Sequence, residues 1–542
     1  MKKIYLFLFS VFLFATQGIH AQINYAELTN GVYYFLAAPN GQYFNGTTTG
    51  SDTKEENNIY ILETAATDTY YLKRVVDNQY VSYDNTLQGK GNNRYYELAI
   101  TSDKSSATLF NIDTNGWLTA TIETDDVYFI TGMNTTTFGP NYYLKKNGQK
   151  AGCVWTITEA PKWFELKDAL AEAERYDIGS GLNQYSGTDT ETFTSSRSSA
   201  QALTLSEATV EGVDDLISKL STDQYSLKIN QPQDGTFLRI ENNGTYVSAP
   251  RNSNPMTLSS TADATNVFYY TEGKLICLAT GYAGNGNGTA VGSETKYIFD
   301  NPLNGMTNSY SIAAANGNYW SANETVLGTS TTGTETGCNF TLTQLDVLPI
   351  SMSQNTKGDT PDNKYYASIC LPVAVTLPAG LKAYSATIGE DDKMILSNVA
   401  GSDKADDVLP ANSPVILFSD NKVESLGITT SEATIESGDL LGTIEAETVE
   451  AKANYVLSIS YGIGFYIYNN TTMPGFKAYL PASASTGSNS YKFVFDNNTP
   501  TGIDTATPAE ELSGEYYDLL GNKVTTPVKG HIYIVNKKAI LY

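Results

Sequence analysis

Apolar and polar residues alternate in short runs along most of this chain. Runs at 33–36, 59–62, 70–72, 109–112, 128–130 and 154–157 are rich in Tyr, Ile, Leu and Phe, with Gly, Asn, Asp and Thr between them. That pattern predicts half-buried strands joined by tight turns. A second series at 236–240, 267–270, 274–278, 297–299, 310–313 and 339–342 reads the same way. The period changes in two places. Trp163, Leu166, Leu170 and Ala173 share one helical face after Pro161, a residue tolerated in a first turn. Val210, Val213, Leu216, Ile217 and Leu220 form another apolar stripe, and Thr204 with Glu207 reads as its capping box. A Ser/Thr/Gly stretch from Gly179 lies between them. Beyond Leu348 short strand runs return at 382–388, 394–399, 413–418, 455–459, 464–468, 477–480 and 491–495. Many short strands with frequent turn signals predict a β-sandwich.

The turns themselves repeat. They read Asn40-Gly41-Gln42-Tyr43, Asn115-Gly116-Trp117, Asn243-Gly244-Thr245-Tyr246 and Asn316-Gly317-Asn318-Tyr319, with weaker variants Asp77-Asn78-Gln79-Tyr80 and Gly281-Tyr282. Asn-Gly favours a two-residue hairpin turn, because both turn positions take positive φ. Tyr43, Tyr80 and Trp117 recur every 37 residues, and Tyr246, Tyr282 and Tyr319 at 36 and 37. Two blocks of three equivalent hairpins follow from that spacing.

Three repeats of this length resemble a β-trefoil of the ricin-lectin type, a closed barrel capped by three hairpins. Ricin-type lectins carry Gln-x-Trp near the end of each repeat. Here Cys153-Val154-Trp155 and Cys338-Asn339-Phe340 keep the aromatic without the Gln. The pattern Leu166-x-x-Ala169-Leu170-x-x-Ala173 resembles small helical spacer modules of bacterial surface proteins. Leu371-Pro372-Val373-Ala374-Val375 and Gly475-Phe476-Lys477-Ala478-Tyr479-Leu480-Pro481 resemble an accessory domain of secreted Bacteroidetes proteins. Tyr517-Asp518-Leu519 through Val524, with Gly530-His531-Ile532-Tyr533-Ile534-Val535, resembles a type IX secretion sorting tail. Asp504-Thr505-Ala506 fits the short O-glycosylation pattern of that phylum. The expected organisation is mainly β. A signal peptide spans 1–21, a β-trefoil 22–160, a helical spacer 161–228, and a second β-trefoil 229–346. A β-sandwich follows at 347–500, then a linker and short β tail at 501–542.

Length and composition narrow the function. A chain of 542 residues holds several domains, and 38 Tyr against 20 Phe suits strands and polar turns. The formal charge is −24, which argues against nucleic acid and anionic lipid as partners. Lys2 and Lys3 before the apolar run 4–15, with Ala21 beyond, read as a secretory signal, so export is expected. No later apolar run is long enough to span a membrane. Only two histidines occur, His20 and His531, which excludes multi-His metal sites and leaves only His531 for a catalytic triad. No metal or cofactor is expected.

The candidate chemistry is recognition of sugars. An aromatic platform beside polar side chains is what a sugar site needs. The turn units supply Trp117 with Asn115, Tyr319 and Trp320 with Asn316, and Tyr246, alongside Tyr43 after Gln42 and Tyr80 after Asp77. Trp320 is the favoured exposed platform. Tyr319 holds the repeated place, and successive side chains on a strand face opposite ways. The residues equivalent to Trp320 are Phe44, Val81, Leu118 and Val247, all apolar, so the reverse assignment stays open. Trp155 is expected in a core and Trp163 in helix packing. The four cysteines, Cys153, Cys277, Cys338 and Cys370, are expected to be buried free thiols, since Cys153 and Cys338 occupy equivalent places in different blocks. Acidic runs at 390–392 and 406–407 match no calcium loop, and Gly281 to Gly292 lacks the Lys-Ser/Thr of a phosphate cradle. The expected function is non-catalytic binding of an extracellular glycan. The alternatives are a glycoside hydrolase with a carboxylate pair, and a structural surface protein or adhesin that binds host or surface proteins.

Overall fold

A computed structural model describes residues 28–46, 50–90, 94–113, 117–122, 125–134, 137–146, 154–187, 189–250, 256–283, 296–323, 325–357, 361–402, 407–460, 462–484, 487–496 and the tail strands. The expected signal segment, Asn115, Cys153 and His531 lie outside these residues. The chain divides into two compact units, one of residues 1–180 with 184–228 and one of residues 181–183 with 229–542. The fold is mainly β, with three α-helices among the described residues.

In the first unit, six strands pair in a ring: Tyr33–Ala37, Ile59–Ala66, Thr69–Arg74, Leu109–Ile112, Leu118–Ile122 and Thr156–Glu159. The Trp117↔Val154 bridge closes it. Three hairpins extend from the ring, at 43–51, 79–101 and 125–146. Alternation explains the register where it is clean: Ile157 is buried between Thr156 and Thr158, and Leu72 between the less buried Tyr71 and Lys73. Trp155 anchors the core. Its indole N–H donates to the Phe129 carbonyl at 2.8 Å, and its ring stacks on Phe129 with centroids 4.3 Å apart.

The helices of this unit are α1 (Trp163–Glu174), α2 (Asp189–Ala202) and α3 (Val210–Ser226). Trp163 donates to Glu56 at 2.9 Å, so α1 is fastened to the strand ring. The expected capping box gives way to another arrangement. Helix α3 begins at Val210, and Thr209 caps it by accepting from Gly212 N. Thr204 and Glu207 instead close a turn through a 2.6 Å side-chain hydrogen bond. Helix α2 lies in the stretch read as Ser/Thr/Gly-rich. It buries Phe193, Ser196 and Ala200, a narrow face of small residues around one aromatic.

In the second unit the same plan recurs. The ring runs Thr236–Asn242, Phe268–Thr271, Lys274–Cys277, Tyr297–Asp300, Ser311–Ala314 and Thr341–Gln344. The Lys274↔Lys296 and Tyr310↔Phe340 bridges complete it. Beyond it, a four-stranded sheet (347–349, 425–429, 374–377, 407–409) faces an eight-stranded one across a shared core. Leu348, Val375, Leu409 and Leu426 come from the first sheet, and Ile369, Ala383, Val415 and Leu417 from the second. Phe237, Val267 and Ile276 of the ring belong to this same core, with Phe476 5.9 Å from Phe237. Apolar packing therefore crosses residues 346–347 without a break. The backbones of Gly281 and Gly475 touch, and Ala446 N donates to Gly281 O at 2.7 Å. Tyr516–Tyr517, Lys523–Val524, Ile532–Val535 and Lys538–Leu541 form a four-stranded tail sheet.

Cys277, Cys338 and Cys370 are free and buried. Burial pushes each thiol upward in pKa, Cys370 to about 11. No helix among the described residues is long and apolar enough to cross a membrane.

Candidate functional site

The six repeated turn aromatics obey one rule. The residue after each is buried: Phe44, Val81, Leu118, Val247, Ala283 and Trp320 all retain 4% exposure or less. The aromatic itself faces the other way. Tyr43, Trp117, Tyr246, Tyr282 and Tyr319 are half-buried, while Tyr80 keeps 8% exposure. This reverses the assignment expected for Trp320. Strand alternation sends Trp320 inward, where it meets Tyr297 at 5.0 Å and Phe340 at 5.9 Å. Its apolar equivalents in the other repeats carried that message. The platform candidates are the repeated residues.

Turn geometry presents them. Asn243 and Gly244 both have positive φ, a two-residue turn between Asn242 and Thr245. Asn40 and Asn316 do not, and only Gly41 and Gly317 do, at +82° each. Gly41 N donates to Ala38 O at 2.8 Å and Ala38 N to Gln42 O at 2.9 Å. Gly317 repeats this with Ala314 and Asn318. Both are three-residue loops with a left-handed glycine, which tuck the Asn side chain back onto its own turn. Asn316 Oδ1 accepts from Asn318 N at 3.0 Å, so Asn316 shapes the hairpin.

The surroundings differ by repeat. Tyr43 borders an exposed polar chain: Asn40 Nδ2 donates to Gln42, and Gln42 Nε2 donates to Asp52, each at 2.9 Å. Tyr80 is closed off. Its hydroxyl donates to Glu63, which also binds Lys104 at 2.5 Å and Lys73 at 3.4 Å, and both lysines lie over its ring. Burial acts to raise the pKa of Glu63, but these hydrogen bonds outweigh it and hold the carboxyl below its usual range. Trp117 takes an Asp113 carboxylate on its backbone N–H at 2.9 Å. The Arg239 guanidinium lies 5.4 Å over the Tyr246 ring. Tyr319 packs against the Gly333 backbone beside Leu303, which is 45% exposed. Ser330 and Thr332, both bonded to Glu335, lie on the paired strand and its following turn. An aromatic with an exposed apolar flank and hydroxyls nearby is one side of a sugar subsite in chemical terms.

Tyr282 faces a cleft of ≈ 460 Å³ whose other walls are Tyr468, Asn469, Asn470, Thr471 and Thr472. These five were missed in the sequence, where Tyr468 only ends the strand run 464–468 and the other four follow it. The run Tyr-Asn-Asn-Thr-Thr was the available signal, but nothing in it tells of Tyr282, 186 residues earlier. Of the predicted residues, Trp117 lies in the first unit and Tyr246, Asn316, Tyr319 and Trp320 in the second. Among the described residues, no group of three His, Cys, Asp or Glu side chains is placed to hold a metal.

No protein-family model and no curated protein matches the chain. Solved structures that align with it include the following three. A designed threefold-symmetric protein, ThreeFoil, does so at 13% identity and a TM-score of 0.20, over 23% of this chain and 97% of its own. A mosquitocidal holotoxin aligns at 9% identity and 0.20, over 85% of this chain and 52% of its own. Cry35Ab1 aligns at 11% identity and 0.17, over 46% of this chain and 88% of its own. At these scores the likeness carries no argument about fold or function.

Proposed function

We propose that this chain is an exported, non-catalytic glycan-binding protein whose two strand rings are β-trefoils. The observation that carries the reading is the outward-turned aromatic series. Tyr43, Tyr246, Tyr282 and Tyr319 follow a ring strand at equivalent places in their repeats, half-exposed, while their neighbours fill the core; Tyr80 is covered, and Trp117 stands at the bridge that closes the first ring. Aromatics kept half-exposed at the same place in four repeats offer platforms for a ligand. The six-membered strand rings with attached hairpins support the trefoil assignment.

The test is a broad glycan array followed by calorimetry on any hit. Tyr43→Ala and Tyr319→Ala should each weaken binding several-fold without changing the unfolding midpoint much. Absence of binding across the array removes the glycan reading and leaves the fold description standing.

A further inference from the structure

Tyr468 has a second role besides walling the Tyr282 cleft. It also lines a recess of ≈ 220 Å³ with Ser351, Ser353, Ser368, Met473 and Lys477. The two hollows share that one ring as a common wall. Lys477 stands on the short strand Lys477–Tyr479, which pairs with Leu441–Thr443. Its side chain is open to solvent, and its amine makes no hydrogen bond or ion pair among the described residues. Protein nonetheless surrounds it closely enough that burial lowers its pKa. A lysine reached by water yet enclosed by protein sits in a recess, not on a convex face. The recess lining holds no acidic side chain among the described residues. Asp362 lies behind it, but its carboxylate already accepts from Tyr366, Asn355 and the Lys364 backbone.

An ammonium in a recess whose described lining holds no acid is available to pair with an incoming anion. The hydroxyls of Ser351, Ser353 and Ser368 add neutral donors and acceptors, as a sugar carboxylate with its ring hydroxyls requires. Tyr282 and Tyr468 offer rings for the adjoining saccharide, and Asn469 and Asn470 supply amides. Long-range charge restricts the ligand further. A chain of net charge −24 repels a polyanion, whereas a field screened over about 8 Å at physiological ionic strength spares a ligand with a single carboxylate.

We propose that this groove is a second saccharide site, outside the repeated hairpins of Tyr43 and Tyr319. It takes an oligosaccharide bearing a carboxylate, with Lys477 on the acid and Tyr282 and Tyr468 along the neutral sugars. The proposal rests on the glycan reading for its sugar half only, because the Lys477 recess stands on its own geometry.

The probe is a xylo-oligosaccharide carrying one glucuronic acid, titrated against the full chain beside its methyl ester and the unbranched oligosaccharide. The acid should bind about tenfold or more tightly than its ester, as a charge-assisted hydrogen bond gives. Lys477→Met should erase that difference, and Lys477→Arg should keep much of it. Lys477→Met removes an exposed charge with no partner among the described residues and should fold about as well as the parent. Equal binding of acid and ester, or full retention of the difference in Lys477→Met, overturns the proposal. If the array detects other glycans and the acid does not bind, this inference falls while the glycan reading stands. If no saccharide binds anywhere, both fall.

Discussion

Tyr319 and Trp320 are chain neighbours with opposite duties. Trp320 is fully buried between Tyr297 and Phe340, so Trp320→Ala should cost about 3–5 kcal/mol in chemical denaturation, as for other core aromatics. Tyr319→Ala should cost clearly less and act on binding instead. The pair Arg74–Asp77 sets an acid sensitivity. Arg74 is buried, donates to Asn45 O at 2.7 Å, and holds the Asp77 carboxyl below its ordinary pKa through their hydrogen bond. A carboxyl depressed in the folded state contributes stability above its unfolded pKa of about 3.9, and that contribution is lost as pH falls through the folded value. Asp77→Asn should therefore lower stability near neutrality and flatten its fall below about pH 4, read from denaturation midpoints at stepped pH. At this scale the sequence was legible up to one ambiguity. It placed an outward residue and an inward residue side by side, but strand alternation is symmetric. Only the identity of the core partners, distant in sequence, decides which is which.

Elements show the same limit in another form. The Asn-Gly units fall at hairpin turns where they are described, yet the turn at Asn40 and Asn316 is a three-residue loop and not the two-residue kind. Pro39 sits inside the first such loop, and its fixed φ suits a loop whose left-handed residue is the glycine alone. Gly41→Ala and Gly317→Ala should each cost about 1–2 kcal/mol for the left-handed backbone, with no steric clash to add. Asn243→Ala should cost a comparable amount, whereas Asn40 stands outside the left-handed region and owes its place to side-chain bonding. Buried Asn58 and Asn266 make matching devices in the two units. Each accepts from a backbone N–H three residues earlier, Glu55 and Asp263, and donates an amide N–H to a carbonyl, Phe44 and Thr261. Replacing either with Ala leaves buried backbone groups unpaired and should cost about 1–3 kcal/mol. No periodic pattern announces such a residue, because its partners are main-chain groups. Helix α2 went unread for a related reason. Its buried face is Phe193 with Ser196 and Ala200, too polar for a hydrophobic stripe.

For the whole molecule, the composition shift near Leu348 marks a change of sheet, while the apolar core runs across it. Phe237, Phe476 and their neighbours tie the second strand ring to the sheets that follow. Calorimetry should show that the second ring and those sheets melt together, and that residues 229–346 alone do not reproduce the ring's stability. Gly475→Ala should weaken that coupling, since a methyl there meets the Gly281 backbone and the Ile444 carbonyl. The buried thiols carry a consequence for how the chain reaches this state. Cys277 lies against the Ala249 carbonyl at 3.5 Å, and Cys338 and Cys370 are equally enclosed, so in the finished protein oxidants and partner thiols do not meet them. Before closure nothing shields them. Folding and oxidation thus compete, and the order of events decides the yield: a reductant should raise recovery from denaturant while leaving the folded protein indifferent to its removal.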